Sequence, residues 1–180
     1  MDRQLISTSK FLSLVLRHRP ETIGISLDEQ GWVEIDDLLA AANRSGKKLT
    51  RPLLDRVVRE NDKQRFAISS DGTRIRANQG HSVDVDLELQ PVQPPELLYH
   101  GTVARFLDSI HVTGLERGSR QYVHLSPDLE TARRVGQRRG RPVILVVESG
   151  RMWQDGHTFY QAENGVWLTD AVAPEYLRFE

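Results

Sequence analysis

Cysteine is absent from all 180 residues, which excludes disulfides, thiolate nucleophiles and any cysteine-ligated zinc site. No apolar run approaches the roughly 20 residues that a membrane-spanning helix needs. The N-terminus, Met1-Asp-Arg-Gln-Leu5, lacks a basic stretch leading into an apolar one and a small-residue cleavage site, so the chain is expected to be cytoplasmic and to have no membrane partner. Lysine is scarce as well: Lys10, Lys47, Lys48 and Lys63 are the only ones, and arginine supplies the rest of the 24 basic side chains. The planar arginine fork suits bidentate recognition of phosphate. The bias hints at phosphate held by placed residues, although a GC-rich genome produces it too. Net charge is −1, and residues 1–90 hold 14 basic and 14 acidic side chains, a poor balance for sequence-independent DNA binding.

Motifs of the commonest nucleotide sites are missing too. There is no Walker-type lysine loop and no Gly-x-Gly-x-x-Gly after a strand. The histidines show no i, i+4 pair with a glutamate and no carboxylate cluster, so no metal is expected. Ser126 sits in no Gly-x-Ser-x-Gly elbow, and a serine ahead of a proline reads first as a helix cap.

The length allows one or two domains, and the patterning divides the chain. Leu5, Phe11, Leu12, Val15 and Leu16 lie at helical spacing, with Ser7 and Thr8 as candidate caps; the helix runs into Arg17-His-Arg-Pro20, where the proline ends it. Basic residues there also suit the helix dipole. Gly31 to Ile35 reads as a short strand, Asp36-Asp37 as the cap of a helix, and Thr50-Arg-Pro52 as the start of another. Arg65–Ile68 and Arg74–Arg76 flank the turn Ser69-Ser-Asp-Gly72 and read as a hairpin. This order is that of a winged helix. An acidic and then proline-rich stretch after Asp84 marks the boundary, giving a winged-helix lobe over 1–88, a linker over 89–96 and a second α+β lobe over 97–180.

In the second lobe Leu97–Thr102 reads as a strand, followed by a helix that Gly114 ends. Arg120-Gln-Tyr-Val-His-Leu-Ser126 alternates, with Val123 and Leu125 toward a core and Arg120, Tyr122, His124 and Ser126 on the face of a ligand wall or an ordinary solvated strand. Ser126-Pro-Asp128 is expected to cap a helix through Arg134, and Val143–Val147 to be a fully buried strand. Thr158–Tyr160, Gly165–Leu168 and Tyr176–Phe179 read as short strands. Tyr99-His-Gly-Thr102 and Val123-His-Leu-Ser126 each put a histidine and a hydroxyl at a strand end, and Gly101 lets a ligand approach the backbone.

That pair, followed by Thr131-Ala132, resembles the ADP-ribosyltransferase fold, in which such strands clasp NAD. Further motifs are Ser9-Lys-Phe-Leu-Ser-Leu-Val-Leu-Arg-His-Arg-Pro20, Gly31-Trp-Val33, Lys63-Gln-Arg-Phe66, Ile75-Arg-Ala-Asn-Gln-Gly-His-Ser82 and Asn164-Gly-Val-Trp-Leu168. Together, in this order, the set resembles the RNA 2′-phosphotransferase family of the KptA type over nearly the whole chain. The resemblance implies a winged-helix lobe that binds RNA, an ADP-ribosyltransferase-like lobe that binds NAD, and removal of an internal RNA 2′-phosphate with NAD as acceptor. It implies Arg17, His18, Arg65 and Arg120 as catalytic residues. His100, Gly101, Thr102, His124, Leu125, Ser126 and Thr131 are implied to hold NAD, and Arg76, Gln79 and His81 to bind RNA or brace the lobe interface. A monomer is expected.

Two departures from the family pattern stand out. Tyr122 replaces an expected histidine, and Val166 stands where many protein-modifying ADP-ribosyltransferases carry a glutamate, with Glu163 nearby. The first step implied is attack of the 2′-phosphate on the ribose carbon bearing nicotinamide, a nucleophile that needs orientation and not deprotonation. Charge then gathers on phosphoryl oxygens, which guanidinium groups stabilise. Two alternatives remain open at this point: an ADP-ribosyltransferase that caps a terminal phosphate of RNA or DNA, and a winged-helix regulator without enzymatic activity.

Overall fold

In the computed structural model, which describes residues 2–179, helix α1 spans Arg3–Arg17 and is capped by Asp2, whose carboxylate accepts the amide proton of Gln4. The sequence suggested Ser7 and Thr8 as caps; Asp2 starts the helix earlier, and Thr8 is buried inside it. Leu5, Leu12, Val15 and Leu16 recur at the helical period and form the buried stripe. Strand β1, Val33–Glu34, leads into α2, Ile35–Arg44. Asp36 and Asp37 therefore occupy the first turn and not the cap, where their charges complement the helix dipole. Thr50 caps α3, Arg51–Glu60, by accepting from the Leu53 amide.

Strands β2, Phe66–Ile68, and β3, Arg74–Ala77, form the expected antiparallel hairpin, with Ala67 opposite Arg76. Asp71 organises its turn by accepting from the Ser69 hydroxyl and from the amide and hydroxyl of Thr73. Those donors hold its carboxyl down at about 2. Sheet order is β1-β3-β2, and Leu12, Leu16, Ile35, Leu38, Leu54 and Ile75 bury completely against one another.

The chain divides into two compact units, one ending at Glu88 and the other beginning at Leu89. Residues 89–96, read from sequence as a linker, are tied to the second unit. Val92 donates to the Phe159 carbonyl, Ser149 to that of Pro95 and Gly150 to that of Glu96.

The second unit contains β4, Leu98–Val103; α4, Leu107–Thr113; β5, Leu115–Glu116; β6, Val123–Leu125; and α5, Leu129–Gly136. It continues with β7, Pro142–Val147; α6, Ser149–Gln154; β8, Tyr160–Gln161; β9, Trp167–Thr169; β10, Ala171–Val172; and β11, Leu177–Phe179. Three small antiparallel sheets result, in the orders β11-β7-β4, β6-β9-β8 and β10-β5. The chain is thus mixed α/β, with six α-helices among the described residues. Among those residues no helix is long and apolar enough to cross a membrane.

Three differences from the sequence reading have local causes. Gly118 at φ +61 and a turn closed by the Arg120 amide on the Arg117 carbonyl keep Arg120 off the strand, so β6 starts only at Val123. Asp128, not Ser126, caps α5: its carboxylate takes both the amide and the hydroxyl of Thr131, a stronger acceptor than a serine hydroxyl. Ser126 instead exchanges two backbone hydrogen bonds with Tyr99, of 2.7 and 2.9 Å, which join β6 to β4. The third difference is α6, too short and glycine-interrupted for periodicity to register.

Candidate functional site

On the first unit the described site residues gather around the C-terminal end of α1. Arg17 is its last residue and His18 its cap. Ser82 lies in a bend of the irregular segment that follows the hairpin and fastens this corner twice. Its amide donates to the Arg17 carbonyl at 2.8 Å, and its hydroxyl lies 2.9 Å from His18 Nδ1, an exchange that fixes the ring plane. Arg65 precedes β2 and donates through Nη1 to the Ser9 hydroxyl at 3.4 Å. Ser9 lies two turns before Arg17, so Ser9 and Arg17 share a face of α1. Arg76 extends over the Trp32 ring, its guanidinium carbon 4.6 Å from the centroid. Gln79 and His81 are both buried. The sequence placed Ser9 and Ser82 inside motifs without giving them a role; their roles depend on partners 56 and 64 residues away.

His81 has no solvent exposure, and neither ring nitrogen has a hydrogen-bond partner among the described residues. Gly31 packs so closely that a Cβ there would stand 3.3 Å from His81 Nε2. Burial, first, and then the charges of Arg17, His18 and Arg76 lower its pKa to about 4. The ring is therefore neutral packing behind Arg17 and His18.

A linkage follows. The unfolded chain protonates this imidazole near 6.5 and the folded chain only near 4, so the unfolded state binds more protons between those values and stability falls as pH drops through that window. At about 1.4 kcal/mol per pKa unit, roughly 3 kcal/mol is at stake. Burial lowers the pKa of His100 as well, adding loss of the same sign. Urea unfolding of the protein and its His81→Leu variant at pH 7 and pH 4 is expected to show a markedly smaller acid loss in the variant. An equal loss in both would remove His81 as the cause.

On the second unit β4 and β6 carry the described donors. His100 Nδ1 lies 3.1 Å from the His124 carbonyl. A carbonyl only accepts, so Nδ1 carries the proton. Burial keeps the His100 ring neutral, against the raising effect of that hydrogen bond and with help from the charges of Arg139 and Arg120. Its Nε2 is then an acceptor. Arg120 Nη1 lies 3.1 Å from His124 Nδ1. A guanidinium only donates, so that nitrogen accepts, and in the neutral ring Nε2 carries the proton. The two imidazoles thus carry opposite tautomers, His100 protonated on Nδ1 and His124 on Nε2.

Thr102 and Ser126 are nearly buried, and the Leu125 side chain belongs to the core. Thr131 spends both its amide and its hydroxyl on Asp128, with Arg134 Nη2 3.5 Å from the same hydroxyl. Tyr122 packs against Tyr160 with ring centroids 5.4 Å apart, a contact made by the tyrosine that replaces the expected histidine. Val166 is half-buried and Glu163 exposed.

Gly101 has a packing role within the protein. A Cβ there would stand 1.9 Å from the Ala132 carbonyl oxygen and 2.8 Å from the Gly136 nitrogen. The close approach that this glycine permits is that of α5 against β4. Among the described residues there is no group of three or more His, Cys, Asp or Glu that could hold a metal ion.

Guanidinium groups set beside imidazoles and hydroxyls on a mixed α/β frame define a protein suited to phosphorylated ligands. The chain belongs to the RNA 2′-phosphotransferase family, Tpt1 / KptA, whose profile matches residues 3–171. It is 60% identical to a probable RNA 2′-phosphotransferase of Rhodopirellula baltica over 179 residues, covering 99% of this chain and 97% of that one. Similar proteins of the same description occur in Flavobacterium johnsoniae, at 56% identity over 97% of this chain and 96% of the relative, and in Escherichia coli, at 57% over 99% and 97%.

Proposed function

We propose that the protein is an NAD-dependent RNA 2′-phosphotransferase. In this reading residues 1–88 are a winged-helix lobe that binds RNA, residues 89–96 connect it to an ADP-ribosyltransferase-like lobe over 97–180, and the enzyme acts in the cytoplasm as a monomer. The observation that carries it is the Arg120 guanidinium held against His124, beside a neutral His100. A fixed cation then stands next to the strands that would hold the two riboses and pyrophosphate of NAD.

NAD is a co-substrate here. An oxygen of the RNA 2′-phosphate bonds to the ribose C1″, and the bond to nicotinamide breaks with its electrons leaving on the ring nitrogen. The 2″-hydroxyl oxygen then bonds to the same phosphorus and gives up its proton, while the bond from phosphorus to the RNA 2′-oxygen breaks and that oxygen takes up a proton. The products are RNA with a free 2′-hydroxyl, nicotinamide and ADP-ribose 1″,2″-cyclic phosphate. His100, Thr102, His124 and Ser126 orient the ribose and pyrophosphate, and Arg120 stabilises the phosphoryl charge. Arg17, His18 and Arg65 complete the catalytic set. Arg76 and Gln79 support RNA binding, and His81 is a packing residue behind Arg17.

The test follows a short RNA with one internal, radiolabelled 2′-phosphate. Label leaving the RNA only when NAD is present, as the cyclic-phosphate ADP-ribose, is the expected result. Label retained on RNA that has gained ADP-ribose would replace this reading with a phosphate-capping ADP-ribosyltransferase, and no NAD-dependent change would overturn both.

A further inference from the structure

The second unit carries a basic cluster that the roles above do not use. Between Arg133 and Arg141 the chain contains five arginines and no acidic residue. Arg133 and Arg134 lie on α5, but Arg138 and Arg139 lie on the single 3₁₀ turn, Gln137–Arg139, that follows it. Two close backbone approaches fix where that turn stands. A Cβ at Gly101 would overlap the Ala132 carbonyl. One at Gly136 would stand 3.0 Å from Pro142 Cβ and 3.1 Å from the Thr102 carbonyl. The end of α5 is thus seated on β4 between His100 and Thr102, and the turn that follows emerges beside the same strand.

Arg139 also lies against Phe106, its guanidinium carbon 5.8 Å from the ring centroid, while Arg105 sits 4.9 Å from the same ring. An aromatic contact of this kind limits the side chain's wandering. Among the described residues, none of Arg120, Arg138 and Arg139 has a carboxylate within ion-pair distance. Glu148 and Glu175 pair instead with Arg151 and Arg178. Arg120 reaches the same strand through His124, whose carbonyl lies 3.1 Å from His100 Nδ1, and cations that gather near one another without a counter-charge are stabilised when an anion enters.

We propose that Arg138 and Arg139 form, beside Arg120, a phosphate-binding site on the second unit that holds a phosphate group of a bound substrate other than the phosphate being transferred. The proposal rests on the NAD-and-RNA reading for the identity of that substrate. Two electrostatic observations agree with the geometry. Partial desolvation and then the charges of Arg139 and Arg138 lower the pKa of Arg120, and partial desolvation lowers that of Arg138. The phosphate has two available sources of one chemistry: the NAD pyrophosphate, or a phosphodiester of the RNA strand flanking the modified nucleotide.

Equilibrium binding separates these sources without needing turnover. ADP-ribose is titrated by calorimetry, and a labelled single-stranded RNA tetramer bearing one 2′-phosphate by fluorescence anisotropy at several salt concentrations. The proteins are the wild type, Arg139→Ala, Arg138→Lys, and Arg133→Ala as a charge control from the same run. Arg139 is exposed, so Arg139→Ala keeps the melting temperature of the wild type. Loss of one charge-assisted phosphate contact is expected to weaken binding by about ten-fold. Weakened ADP-ribose binding by Arg139→Ala assigns the site to the pyrophosphate. Weakened RNA binding, with a salt slope reduced by about 0.7, assigns it to a phosphodiester.

Arg138→Lys keeps the charge but loses the fork, so it is expected to fall between wild type and Arg139→Ala. If Arg139→Ala binds both probes within two-fold of wild type, or if Arg133→Ala is equally impaired, the site is overturned while the functional reading stands. A wild-type protein that binds neither probe would sink both.

Discussion

Alanine at position 120 is expected to slow NAD-dependent transfer of the 2′-phosphate by two to three orders of magnitude, the usual cost of deleting a fixed donor to a transition-state oxyanion. The side chain is exposed, and its described hydrogen bond runs to His124 Nδ1 at 3.1 Å. Its removal therefore leaves the core untouched, and thermal stability should stay within about 1 kcal/mol of wild type. The loss should fall on kcat, because the group acts where charge develops and not on the resting dinucleotide. Lysine should restore little, since one ammonium cannot both donate to His124 and present a second donor in the same plane. The variant should also remove the donor that sets the His124 tautomer, so the KM for NAD should rise modestly. Single-turnover measurement with labelled RNA decides the matter. Activity within ten-fold of wild type would remove Arg120 from the reacting phosphate.

Much of the fold was legible because its signals are local. The apolar stripe of α1, the threonine cap of α3 and the Ser-Ser-Asp-Gly turn each lie within a few residues, and each was found where the sequence put it. Cap identities were less legible. A serine before a proline and an aspartate two residues later compete for one helix start, and the carboxylate prevails because it satisfies two donors of Thr131 where a hydroxyl would satisfy one. Strand length failed at Arg120 for a different reason: alternation cannot show a glycine at positive φ turning the chain just ahead.

The site divides in the same way. The histidines and hydroxyls of β4 and β6 stood out by pattern, but their protonation did not. Which nitrogen of His100 or His124 carries the proton follows from a carbonyl and a guanidinium reached only in the folded chain. Ser82 had a motif but no assigned role, and the arginines around the end of α5 carried no motif. A run of five arginines without an acid was the available sign of the latter, and it gains meaning only from the helix end that brings it to β4.

That helix end gives the other large effect. Gly101→Ala is expected to destabilise the second unit by about 4 kcal/mol, at the upper end of single substitutions, because the added methyl meets backbone and not a movable side chain. The Ala132 carbonyl oxygen would be 1.9 Å away and the Gly136 nitrogen 2.8 Å, so α5 must lift off β4 by more than an ångström to admit it. No backbone strain contributes, since Gly101 is not among the glycines at positive φ.

Gly118→Ala provides the contrast. That glycine sits at φ +61 with nothing within 4 Å of a built Cβ, so alanine there meets only the left-handed penalty of roughly 1 kcal/mol. Thermal unfolding of the two variants should therefore separate them widely, by more than about 10 °C for a unit of this size. Lifting α5 would also carry Arg138 and Arg139 away from His100 and Thr102. ADP-ribose binding by any folded fraction of Gly101→Ala should weaken if those arginines hold the pyrophosphate. A Gly101→Ala protein as stable as Gly118→Ala would mean that the helix yields easily, and the glycine would then have to be explained by a ligand approaching the backbone after all.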